Sequence, residues 1–201
     1  MRRGVLSERA LAFQARGQME SELRQAVASA SGRADVRRAV DGIYTSLADA
    51  IEIRRPICKT SGRCCRFEEF GHRLYVTTME LAKFSGDLSV VRGQLSVVAD
   101  ESGAGHRLPI LTTGSGPQAA DQPGCPFQSG GLCGVHTLRP FGCRIFFCDQ
   151  TSTAWQQELY ERLHGQLRQL HDELRVPYFY VEWRFALRAL GLASAILQKN
   201  R

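Results

Sequence analysis

Seven cysteines carry the chemistry this sequence can do. Cys58, Cys64 and Cys65 form one group, and Cys125, Cys133, Cys143 and Cys148 a second, with none in residues 1–57 or 149–201. Thiolate is the soft ligand that zinc and iron–sulfur clusters select, and it binds only when deprotonated. Two such groups about 60 residues apart would pin a glycine-rich connection that has no core of its own. The spacing leaves the metal open. Tight Cys-x2–4-Cys knuckles build most structural zinc sites, whereas here the intervening residues number five, none, seven, nine and four. Adjacent Cys64-Cys65 suits two nearby centres or one polynuclear cluster better than a single tetrahedral ion. Cys143-x4-Cys148 repeats a gap used by plant-type ferredoxins. A dinuclear zinc site with bridging thiolates uses the same residues. Iron–sulfur is the favoured cofactor and zinc the alternative. Buried unreactive thiols, disulfides and a thiol nucleophile explain the set less well. An odd count fits poorly with a disulfide framework, and a nucleophile needs one cysteine, not seven.

Beyond the cysteines themselves, the order Cys58-x5-Cys64-Cys65, Cys125-Pro-Phe, Cys133-x-Val, Arg139-Pro-x-x-Cys143-Arg144 and Cys148 resembles the cysteine-cluster family of zinc- or iron-chelating domains. That cluster is related to the one in flagellin lysine N-methylases. The resemblance spans roughly residues 55–150 and implies that all seven cysteines are metal ligands. Members of that family often open with Cys-x-x-Cys-Gly-x-Cys-Cys. Ser61 stands here in place of the second cysteine of that pattern, and His136 in place of an aromatic residue. The resemblance therefore implies one vacant ligand position, for His136 or solvent to fill, with Ser61 near the metal.

Arg139 and Arg144 flank the last cysteines, where guanidinium groups offset the negative charge of a thiolate cluster through charge-assisted hydrogen bonds. Ordinary surface ion pairing explains either arginine alone equally well. Gly62 and Gly142 adjoin ligands at points where the backbone is expected to turn tightly. Asp149, Glu68 and Glu69 lie in the same region as outer partners or simply as solvated side chains, and His72 and His106 are ligand candidates by position alone, against satisfied or exposed histidines.

Helices must position this centre. Residues 5–29 read as a helix with Leu6, Ala10, Phe13, Leu23 and Val27 inward, and residues 34–53 as a second with Val36, Val40, Ile43, Leu47 and Ile51 on one face. Arg54-Arg55-Pro56 ends it. Residues 73–77 read as a strand, and Thr77-Thr-Met-Glu80 as a capping box opening a short helix to Phe84. Residues 88–99 suit strand or helix, 107–111 an edge strand, and 112–134 irregular backbone. Trp155, Leu159, Leu163, Leu167, Leu170 and Leu174 mark a helix capped by Ser152 or Thr153 and stopped at Val176-Pro177. A last helix is expected over 178–198, carrying Trp183, Leu187, Leu190 and Ile196.

The fold class expected is α+β and α-rich: paired helices at both termini around an irregular cysteine-rich metal-binding centre with a few short strands. It is expected to be one compact domain, with a helical segment over residues 1–55, the cysteine-cluster region over 56–150 and a helical pair over 151–201. The formal charge of +6 is spread as +3, +1 and +2 over those three stretches, with no basic stripe, which argues against nucleic acid as the main partner. No apolar run reaches the roughly 18 residues of a membrane span. Ser7, Glu8 and Arg9 interrupt what a signal peptide needs as an apolar run, so a cytoplasmic location is expected. Three functions are open: a metal-cluster protein in electron transfer or an accessory role, a cluster-dependent enzyme of methylase-like or redox type, and a zinc-stabilised interaction module. Its partner, protein or small molecule, is not legible.

Overall fold

A computed structural model describes residues 8–101 and 124–192. The order is α1 (Glu8–Ala30), α2 (Ala34–Arg54), β1 (Tyr75–Thr77), α3 (Thr78–Glu101), β2 (Gln128–Ser129), β3 (Leu132–Cys133), α4 (Phe141–Ile145), α5 (Thr153–Glu173), β4 (Tyr180–Glu182) and α6 (Trp183–Ala189). The fold is α+β and α-rich, with two small two-stranded sheets, β1–β4 and β2–β3. His106, the strand expected at 107–111 and residues 193–198 of the last expected helix fall outside the described residues; within them that helix is corrected to end at Ala189, before Gly191 in the left-handed region (φ 67°).

Helix α2 buries Val36, Val40, Ile43 and Leu47 at steps of three and four, the stripe its sequence prescribes. It ends where Arg55 turns left-handed and donates its N–H to the Ile51 carbonyl at 2.7 Å. Helix α5 buries Leu159, Leu163 and Leu167. Ser152 sits at its N-cap position, yet its hydroxyl donates to Asp149 Oδ2 (2.7 Å) and does not cap the helix. In α1 the inward positions begin at Leu23; Phe13, expected inside, is 80% exposed because the first half of the helix lies against nothing that buries it.

Two expectations are corrected. The helix opened by the capping box runs on to Glu101 and does not stop near Phe84. Ser85-Gly86 is a weak breaker that the surrounding packing overrides. The final segment is not helical from Tyr178: Tyr180–Glu182 is strand β4, paired antiparallel with β1 in the register Tyr75↔Glu182, Val76↔Val181, Thr77↔Tyr180. Aromatic and β-branched side chains suit such a strand once a partner edge is available.

The capping box ties these parts together. Glu80 Oε2 accepts from Thr77 N (2.9 Å) and Thr77 Oγ1 (3.0 Å), and its Oε1 accepts from Phe141 N (2.8 Å). One buried carboxylate thus caps α3 and holds the start of α4. Glu80→Ala would strand buried N–H groups at both helix starts, while relieving the burial that raises this carboxyl's pKa. The net destabilisation expected is about 2 kcal/mol, read from chemical denaturation.

His171 is 1% exposed. Its Nδ1 donates to the Val176 carbonyl (3.1 Å), and its Nε2 has no partner. Burial lowers its pKa from the ordinary 6.5. The fold therefore favours the neutral ring: this stability is complete above the unfolded value and is lost as pH falls through the lower folded one. Denaturation at pH 7.5 and pH 5.0 should show a fall in stability that is smaller in His171→Leu.

Candidate metal centre

Cys64 and Cys65 sit on a 3-10 turn, Arg63–Cys65, entered through Gly62 in the left-handed region (φ 67°). The second group arrives on a tight hairpin. Gly130 and Gly131, both at positive φ (56° and 80°), join β2 to β3, the conformation a two-residue hairpin loop demands. The Cys125 N–H then donates to the Cys65 carbonyl at 2.7 Å. Gln128 completes the clamp, donating through Nε2 to the Gly62 carbonyl (3.2 Å) and the Gly131 carbonyl (3.3 Å). An added Cβ at Gly62 would lie 2.0 Å from the Gly131 carbonyl oxygen. The two cysteine groups are therefore held backbone to backbone.

All seven cysteines are free thiols. The neighbouring sulfurs of Cys125, Cys133 and Cys64, and burial after them, raise the pKa of the Cys65 thiol. Proximity to Cys65 lowers Cys64 to about 6 and Cys133 to about 7, with the Arg139 charge helping at both against the opposing effect of burial. Cys125 is also held down, first by Cys65 and further by the Phe127 backbone and the Trp183 side chain. Burial pushes the Cys143 thiol up, and charge on Cys125, Cys133 and Cys64 adds to the effect. Five of the seven sulfurs thus interact in one neighbourhood. Among the described residues no group of three or more His, Cys, Asp or Glu is arranged to hold a metal ion.

Sulfur is the soft donor a thiophilic metal selects, so the chemistry of these side chains fits such an ion, although among the described residues they are not arranged around one. The buried indole N–H of Trp183 has no hydrogen-bond partner among the described residues.

The remaining expected residues divide clearly. Ser61 Oγ lies 3.5 Å from Cys148 Sγ, so it is beside a cysteine sulfur. Cys58 is exposed. The His136 carbonyl accepts from Arg139 Nε (3.0 Å), and burial lowers the pKa of its ring, with the charges of Arg139 and Arg144 adding to the effect. Arg139 acts on Cys64, Cys133 and Cys143 through its charge and bonds the Cys143 carbonyl (3.4 Å). Arg144 instead fastens the loop, donating to the carbonyls of Arg139 (2.5 Å) and Thr137 (2.7 Å) and lying over the Tyr44 ring. Glu68 pairs with Arg184 and Glu69 with Arg66. Asp149 caps the turn before α5, accepting from Thr151 N (3.0 Å). His72 stacks on Phe146. Gly142 lies inside α4, where a Cβ would meet Leu74 Cδ1 at 2.5 Å, so it serves close packing and not a turn. Gln128 and Trp183 were not legible as parts of the site. The Gly130-Gly131 pair was the available signal for the first; for the second, a core stripe concealed the polar N–H.

In comparisons with known proteins the chain matches no family model, no curated protein and no solved structure.

Proposed function

We propose that this protein chelates a metal through its cysteines, as an iron–sulfur centre, with electron transfer or an accessory role as its work. The observation that carries the reading is the single neighbourhood of Cys64, Cys65, Cys125, Cys133 and Cys143. Five interacting thiols exceed the four a tetrahedral ion uses, and adjacent Cys64 and Cys65 both belong to the set. Cys64, Cys65, Cys125 and Cys133 would hold the metal, with Cys143 beside them and the Ser61–Cys148 pair nearby. The likeness of the cysteine order to zinc- or iron-chelating domains supports the same reading. A cluster would supply one-electron chemistry; zinc would supply a cross-link alone. Arg139 offsets thiolate charge. Free thiols suit a reducing compartment such as the cytoplasm. Among the described residues no helix is long and apolar enough to cross a membrane.

Protein purified without oxygen should be brown, bleach on reduction, and contain iron and acid-labile sulfide in comparable amounts. Colourless protein with stoichiometric zinc would overturn the iron–sulfur assignment and keep the ligand set. Protein with neither metal would overturn chelation.

A further inference from the structure

A cavity of about 430 Å³ opens beside the thiol group, bounded by the segment entering β1, by α4 and by the first turns of α5. That volume falls within the roughly 300–1,000 Å³ of small-molecule sites. Cys64 and Cys143 line its inner side. Its other walls are largely aromatic and flat. His72 stacks on Phe146 with centroids 5.2 Å apart and planes at 15°, and Tyr75 stacks on Tyr180 at 5.2 Å and 28°. Phe146, Tyr75 and Tyr180 are each more than a third exposed, so bare aromatic surface is concentrated here. Such surface, rimmed by polar groups, marks a binding site more often than a solvated face.

The polar groups define what enters. Among the described residues no Asp or Glu lines the cavity, and the one permanent cation that does is Arg73. Arg73 is exposed and makes no ion pair or hydrogen bond among the described residues. The Tyr160 and Tyr180 hydroxyls bond each other. Whichever donates, the pair keeps one proton to give to an acceptor.

We propose that this cavity binds a planar aromatic carboxylate. Its ring lies against the stacked aromatic walls and its carboxylate meets Arg73, so that the bound acid stands next to Cys64 and Cys143. This assignment is independent of the metal reading.

The test is calorimetric titration of the full chain, as isolated, with 2-naphthoate and its uncharged counterpart 2-naphthamide, with metal content measured on the same sample. Naphthoate should bind at one site at least tenfold more tightly than the amide. Arg73→Gln should remove that preference and leave amide binding unchanged. Gln157→Trp, at an exposed helical position on the cavity wall, should weaken both ligands about tenfold or more by occupying the space. Equal affinity for the two ligands, binding that survives both substitutions, or no binding at millimolar naphthoate would overturn the proposal. The metal assay stands or falls separately.

Discussion

Cys65→Ser is expected to lose bound metal and to melt at least 6–12 °C lower, while Cys58→Ser keeps both its metal and its melting temperature. Cys65 is buried with three other cysteines acting on its thiol, whereas Cys58 is exposed. Structural zinc contributes on the order of 10 kcal/mol in small domains. Losing the central ligand should remove about 3 kcal/mol or more, and each kcal/mol shifts the midpoint of a chain this size by about 2–4 °C. Metal analysis and thermal melts on one preparation read both effects. A Cys65→Ser protein with full metal and wild-type melting would dispose of a shared centre. Loss in the Cys58 variant would show that the exposed thiol takes part.

Gly62→Ala should destabilise by about 3 kcal/mol without touching any sulfur. The new Cβ would sit 2.0 Å from a backbone oxygen, and the φ of 67° is unfavourable for any residue with a Cβ. Overpacking costs about 1–3 kcal/mol and the left-handed conformation about 1–2. Gly130→Ala supplies the contrast. Its φ is also positive, but a Cβ there meets nothing within 4 Å, so only the conformational part, about 1 kcal/mol, is expected. Denaturation of the two variants separates the clash from the dihedral. Equal losses would show that the hairpin moves freely against the first cysteine group.

The elements read best from sequence are those whose own residues decide them. The α2 stripe, the α5 leucines and the box from Thr77 to Glu80 are local patterns, and each appears as read. Strand β4 was read as helix because the stripe from Trp183 onward was extended backward. Its strand character comes from β1, which lies far away in sequence and leaves no local mark. The run of α3 past Ser85-Gly86 is likewise decided by packing. At the site, Ser61 was legible through its place in the cysteine pattern, and it lies beside Cys148. His136 and Arg144 stand out through their places in the same pattern; backbone carbonyls and Tyr44 engage Arg144, and the His136 carbonyl accepts from Arg139. Gln128 gave no warning because its function depends on two carbonyls brought together only by the fold.

The β1–β4 pairing also sets an order of events during synthesis. Thr78 Oγ1 accepts from Phe179 N, a bond between residues 101 positions apart, and Trp183 follows directly. Chains emerge from the ribosome in N-to-C order, and long-range pairings form late. Every cysteine is therefore translated before the strand that closes the first sheet. For that interval the nascent chain carries its thiols without their final enclosure, and oxidants have their best access to them then.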